Sequence, residues 1–134
     1  MRQHFSGPSP YEKTVGFSRA VRVGDTVYVS GTAPIGDDQK TVAPGDAYGQ
    51  AMRCFEIIDK ALLDAGSSIR DVVRTRMYIT SRIHCGAVCR AHSEVFAKVR
   101  PAATMVVVAK LLEDDWLVEI EAEAVVGSGA HIQD

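Results

Sequence analysis

The sequence is poor in the features that would announce a function outright. Its three cysteines, Cys54, Cys85 and Cys89, cannot all pair within one chain and are too few for a disulfide-stapled domain, so reduced thiols are expected. Neither sign of charge is in excess: Lys+Arg number 15 against 17 Asp+Glu, a net charge of −2, whereas a surface built for a polyanion or an anionic membrane carries surplus base. Aromatics are only 7% of residues and form no basic stripe with interleaved rings, which disfavours a nucleic-acid partner. The longest apolar run, Met105 to Ala109, is far too short to cross a bilayer, and the opening residues MRQHFSGPSPYEK contain no apolar signal segment. Cytoplasmic residence without a membrane partner is the expectation. Glycine-rich phosphate loops are absent and Ser30 lacks a G-x-S-x-G setting, which removes the common nucleotide-cofactor and serine-hydrolase readings.

What is present fits one domain spanning 1–134, a length that buries roughly two thirds of the surface of the unfolded chain. Residues 1–13, with Gly7, Pro8 and Pro10, read as an extended arm or loop rather than a strand. Gly16–Val23 and Asp25–Ser30 read as a hairpin around the Val23-Gly24-Asp25-Thr26 turn, closed by Gly31. Asp46 is placed to cap a helix with Ala51, Phe55, Ile58 and Leu62 at helical spacing and Gly66 as its stop. A strand over Val72–Thr80 puts Val73, Thr75, Met77 and Ile79 on one face and Arg74, Arg76 and Tyr78 on the other. A second helix over His84–Val99 carries a stripe of Val88, Ala91, Val95 and Val99, and Arg100-Pro101 ends it. Residues 127–134 read as a frayed tail.

The most ordered pattern lies between Pro101 and Val126, two strands joined by an acidic connection that bears the single tryptophan. In the second strand Val118, Ile120, Ala122 and Ala124 share one face while Glu119, Glu121 and Glu123 share the other. Like charges at this spacing repel, so the row is either a solvated face or the lining of a site or interface. Set beside Arg74, Arg76 and Tyr78 in one sheet, it would form a charge-complementary patch. The order β-β-α-β-α-β-β predicts an α+β fold with a mixed sheet covered by helices on one face. Cys85, Cys89 and His92 fall on one helical face, a residue set that zinc accepts. Three ligands along one helix do not readily close a tetrahedron, so exposed-histidine and small buried-thiol roles are expected instead, with no metal and no cofactor.

Several of these segments together resemble the YjgF/RidA family of imine and enamine deaminases. They are Val27-Tyr28-Val29-Ser30-Gly31-Thr32, Ala65-Gly66 before Asp71-Val72-Val73, Pro101-Ala102-x-Thr104-x-Val106, and Val118-Glu119-Ile120-Glu121-Ala122. The resemblance implies a chorismate-mutase-like fold, a homotrimer and small-molecule ligand clefts between subunits. It also implies that Glu119 is the catalytic residue that handles water, with Phe17, Ser18, Arg19, Ser30, Gly31, Ala103, Thr104 and Met105 lining the substrate site. The sequence departs from the deaminases at three of these places. Ala103 stands where the carboxylate-gripping arginine is expected, Met105 where a cysteine is expected, and Ser18 where a tyrosine is expected. Loss of a charged hydrogen-bonded anchor worth about 1.5 to 3 kcal/mol makes the usual 2-imino acids poor substrates unless Arg19 or Arg100 substitutes. A site lined by Phe17, Ala103 and Met105 suits another small ligand, one without charge. The readings that follow are a hydrolytic deaminase of a different imine or enamine and a non-catalytic binding module, with endoribonuclease action less favoured.

Overall fold

Strand β6 (Val118–Val125) lies inside a six-stranded sheet because its alternation suits it to a layer with one covered face: Val118, Ile120, Ala122 and Ala124 are buried and the three glutamates half-buried. The computed structural model describes residues 1–132. Along the chain, β1 (Arg2–Phe5), β2 (Ala20–Val23) and β3 (Thr26–Thr32) precede helix α1 (Ala47–Asp64), then β4 (Val72–Ile79), helix α2 (Cys85–Phe96), β5 (Ala102–Val107) and β6. The strand order is β1-β2-β3-β6-β4-β5, antiparallel throughout except for the parallel pair β4 and β5, whose connection carries α2. This is the α+β architecture with a mixed sheet and helices on one face. Phe55, Ile58, Leu62, Val88 and Phe96 of the helices close on Val27, Met77, Ile79, Val118 and Ile120 of the sheet.

Helix α1 follows its sequence signals closely. The Asp46 carboxylate accepts from the Gly49 N–H at 3.0 Å, and Gly66, at φ +82°, terminates the helix in the left-handed region that favours glycine. The polar faces of β4 and β6 also meet as expected, with Arg74 opposite Glu123, Arg76 opposite Glu121 and Tyr78 opposite Glu119. Arg76 donates to Glu123 at 2.9 Å and the Tyr78 hydroxyl to Glu121 at 2.6 Å.

Elsewhere the structure corrects the sequence. The N-terminal arm is not free: Arg2–Phe5 forms β1 on the outer edge of β2, from Arg2 opposite Val23 to Phe5 opposite Ala20. Its side chains are mostly exposed, so ladder hydrogen bonds rather than an apolar alternation hold it, and no periodicity marks it in sequence. The first hairpin strand begins at Ala20, not Gly16, because Glu12–Gly16 forms a π-helical turn that ends at Gly16 with φ +92°. Strand β3 continues past Gly31 to Thr32 through an irregularity between Val29 and Thr32. Val73 does not join the inward face of β4; a register shift between Val72 and Arg74 buries Val72 and leaves Val73 42% exposed. Helix α2 starts at Cys85 behind a 3-10 turn over Arg82–His84 and ends at Phe96, whose ring, outside the valine stripe, is among the largest buried side chains.

The tail is also ordered through residue 132. Ser128–His131 forms a 3-10 turn in which the Gly129 N–H donates to Asp71 at 3.0 Å, while Arg70 reaches the Ile132 carbonyl. A Cβ on Gly129 would collide with the Arg70 backbone, so only glycine permits this approach. The rest of the segment read as frayed, residues 133–134, lies outside the described residues.

Candidate functional site

The π-helical turn at 12–16 brings a buried carboxylate, Glu12, against a buried guanidinium, Arg19. Glu12 is buried where it accepts the Gly7 N–H at 3.0 and 3.2 Å from its two carboxylate oxygens and faces Arg19 Nε at 3.5 Å. Arg19 is 3% exposed, and its Nη1 donates to the Gly31 carbonyl at 2.8 Å and the Thr32 hydroxyl at 3.1 Å. Burial pulls the Arg19 guanidinium down from its ordinary range, and the carboxylates of Glu12 and Glu119 offset part of that shift. Arg19 is thus a buried arginine that ties the 12–19 segment to the end of β3.

Next to this pair, on β6, Glu119 lies directly against Gly31. A Cβ at position 31 would fall on the Glu119 carboxylate, so the glycine gives the carboxylate its place. Burial raises the Glu119 carboxyl above its usual range; Arg19 opposes that shift and Glu121 adds to it. The result is a carboxylate of raised proton affinity, held at the wall of a cavity of about 180 Å³.

The remaining cavity wall is largely apolar, with Tyr11, Phe17, Ile35, Ile57, Leu112 and Trp116 as its larger side chains and Gly31 and Arg19 beside Glu119. Two side chains that sequence reasoning passed over hold it in shape. The buried Gln50 of α1 donates to the Asp115 carbonyl at 2.8 Å and accepts the Leu117 N–H at 2.8 Å, anchoring the acidic connection between β5 and β6. The Tyr11 hydroxyl donates to Glu113 at 2.7 Å, closing the N-terminal segment over the same connection. Phe17, through the resemblance, and the lone tryptophan were signals for this wall; Ile57 and Gln50 carried none, because helical spacing assigns both simply to a packed helix.

The expected site residues divide into two groups. Phe17, Arg19, Gly31 and Glu119 line the cavity together. Ser18 and Ser30 adjoin it, but Ser30 Oγ donates to the Ser18 carbonyl at 2.7 Å and Ser18 Oγ meets His4 Nδ1 at 2.9 Å, so both hydroxyls are engaged within the fold. Ala103, Thr104 and Met105 lie on β5, separated from β6 by the whole of β4. There the Thr104 hydroxyl accepts from Arg74 at 3.0 Å, Met105 packs on the core, and Ala103 borders a groove that also contains Arg100, His92 and Phe96. One chain does not bring the two groups together.

The helical face considered for zinc is arranged differently from either expectation. Cys85 and Cys89 are exposed, not buried, with sulfurs 3.8 Å apart. His92 turns inward instead of outward: Nε2 meets the Thr75 hydroxyl at 2.9 Å and the ring packs between Phe55 and Phe96, with burial lowering its pKa. Among the described residues no three His, Cys, Asp or Glu side chains are grouped to hold a metal ion, and no helix is long and apolar enough to cross a membrane.

The sheet, its single helical layer and a carboxylate at a small apolar cavity define an α+β domain with one helix-covered face. Comparison with known proteins places it more narrowly: residues 9–126 match the family model described as endoribonuclease L-PSP, and the chain belongs to that family. It is 38% identical over 120 residues to the protein SCO2049 of Streptomyces coelicolor, covering 90% of this chain and 89% of the relative. It is 33% identical over 105 residues to the 3-aminoacrylate deaminase RutC of Acinetobacter baylyi, covering 78% and 82%. Among solved structures, Rv2704 of Mycobacterium tuberculosis, a member of the YjgF/YER057c/UK114 family, superposes with a TM-score of 0.84 at 40% identity over 94% of this chain and all of that one. The resemblance read from the sequence to the YjgF/RidA family is thereby established.

Proposed function

We propose that this protein is a hydrolytic deaminase of a small imine or enamine, with Glu119 as the catalytic residue. The observation that carries the reading is the half-buried Glu119 carboxylate, held against Gly31 at the wall of an apolar cavity. A carboxylate there takes a proton from water as the oxygen attacks the C=N carbon, then returns it to the departing nitrogen. The raised carboxyl pKa brings its proton affinity nearer to that of the groups it serves. The name of the RutC relative, a 3-aminoacrylate deaminase, supports the same class of reaction.

The usual 2-imino acids are not the substrates of this reading. The position of the carboxylate-gripping arginine is Ala103, and Arg19 Nη1 is committed to the Gly31 carbonyl and the Thr32 hydroxyl while Nε faces Glu12. A homotrimer completes the site: β5 is an open sheet edge with Val106 and Val107 half exposed, and a neighbour's β5 would bring Ala103, Thr104 and Met105 to the cavity of Phe17, Ser18, Arg19, Ser30 and Gly31. The separation of the two groups within one chain supports that assembly. Exposed free thiols at Cys85 and Cys89 suit a reducing cytoplasm.

The second reading, a binding module without turnover, is favoured by Ala103 alone. Endoribonuclease action finds little support in a cavity whose wall is mostly apolar and whose bordering loop is acidic. The deciding experiment measures carbonyl and ammonia release from imines generated in situ, comparing wild type with Glu119→Gln. Acceleration that disappears in the variant upholds the deaminase; saturable ligand binding with no acceleration in wild type rejects it for the binding module.

A further inference from the structure

The charges around the cavity do not balance. Glu12 faces Arg19 at 3.5 Å and Glu119 also feels the Arg19 charge, so two carboxylates share one guanidinium and the cluster at the cavity wall keeps an excess of negative charge. The connection that contributes Leu112 and Trp116 to that wall carries Glu113, Asp114 and Asp115 between them, all exposed, with Lys110 its one base. An acidic rim over an acidic cavity attracts cations and repels anions. Tyr11 and Trp116 add aromatic side chains, whose faces attract organic cations, while the Phe17 ring already carries the Arg19 guanidinium 5.4 Å from its centroid. The part of the site that one chain builds also sets a scale for the ligand's apolar group: about 180 Å³ is slightly more than the 150 Å³ or so in which an engineered apolar cavity holds benzene.

We propose that the ligand of this cavity is a monocation, an iminium or ammonium, carrying one apolar group of about the size of a single ring and no carboxylate. The catalytic part of this inference rests on the deaminase reading above; the charge preference does not. As a substrate the ligand is R–CH=NH2+, and the reaction is R–CH=NH2+ + H2O → R–CHO + NH4+. Water oxygen bonds to the carbon while Glu119 takes one proton and passes it to nitrogen; the C–N bond then breaks as the hydroxyl gives its remaining proton to Glu119 and the C=O bond forms, and the departing ammonia takes that proton to leave as ammonium. The reaction that supplies such a substrate is the two-electron oxidation of a primary amine, R–CH2–NH3+ → R–CH=NH2+ + 2H+ + 2e−. Oxidation of an amino acid would instead deliver a carboxylate to a site where Glu119 repels it.

The single tryptophan makes the test direct, because Trp116 fluorescence reports on the cavity wall. Benzylammonium and benzoate are titrated in parallel against wild type and Glu119→Gln. Saturable quenching by benzylammonium at least tenfold tighter than by benzoate, with the preference reduced to threefold or less in Glu119→Gln, is expected. Equal or tighter binding of benzoate, or no saturable binding of benzylammonium, overturns the inference. In parallel, aldehyde release is followed from the imine made by an amine oxidase acting on benzylamine, and keto-acid release from the imino acid made by an amino-acid oxidase acting on phenylalanine. Acceleration of the first alone is expected. Acceleration of the second alone overturns the charge inference and leaves the deaminase reading intact. Selective benzylammonium binding with neither rate raised overturns the deaminase reading and leaves the ligand class standing.

Discussion

Gly31 and Glu119 occupy adjoining strands so closely that the space a Cβ would need at position 31 is already taken by the Glu119 carboxylate. The contact is with the far end of a flexible side chain, so the fold can yield at little cost while the carboxylate cannot stay where it is. Gly31→Ala is expected to change stability by less than about 1 kcal/mol and to lower turnover about tenfold or more, since small displacements of a catalytic group are expensive in rate. Denaturant unfolding beside kcat measurement checks it. A large stability loss with unchanged turnover would contradict the role given to this pair.

Arg19 acts on the site through position and field. Arg19→Met leaves the Glu12 carboxylate buried without its partner and is expected to destabilise by about 3 to 5 kcal/mol, read from urea denaturation. The same change moves the acid limb of kcat/KM. Glu119 must be ionised to accept a proton, and its pKa is raised by burial and partly restrained by Arg19. The wild-type acid limb therefore lies above the ordinary glutamate value of about 4.3, and removing the Arg19 charge moves it higher still. A limb that stays in place on loss of Arg19 would show that the two charges are not coupled.

Asp71 anchors the tail to the start of β4 by accepting from Ser67 Oγ at 2.8 Å and the Gly129 N–H at 3.0 Å. Burial pushes its pKa up, but hydrogen bonds from the Gly129 and Gly127 backbone, the Ser67 hydroxyl and the Ser68 backbone outweigh burial and hold it below the ordinary value. A depressed folded pKa contributes stability that is present above the unfolded value of about 3.9 and is lost as pH falls through the folded value. Asp71→Ala is expected to cost about 2 kcal/mol at neutral pH, with the difference from wild type shrinking as pH drops below about 4. Thermal melts from neutral to acid pH measure it; a gap independent of pH would refute the linkage.

The thiols divide by environment. Cys85 and Cys89 are exposed, whereas Cys54 is fully buried and burial drives its pKa upward. An aromatic disulfide reagent should titrate two thiols in the folded protein and the third only after denaturation. Three fast thiols would mean that the α1 face carrying Cys54 opens readily.

Much of the fold was legible because local physics and tertiary packing agree there. The Asp46 cap, the Gly66 stop and the alternation of β6 each follow from hydrogen-bonding or burial needs within a few residues, and the pairing of Arg76 with the glutamates follows once two strands share a sheet. The elements that misled are those with weak local preference: β1 has no apolar alternation, Val73 is displaced by a register shift, and the terminal turn depends on Gly129 fitting against Arg70. In each case the deciding contact comes from a residue far along the chain.

The site divides in the same way. By itself the sequence determined that Glu119 stands on the polar face of a strand whose other face is buried, and that an alanine occupies position 103. Tertiary structure alone decided that Arg19 is faced by Glu12 and held by the Gly31 carbonyl, and that Trp116 and Ile57 wall the cavity. It also decided that β4 keeps Ala103 away from Glu119 within one chain. The physical reason is that side-chain type and spacing are local properties, whereas the charge and shape of a cavity are sums over groups that only the folded chain brings within reach of one another.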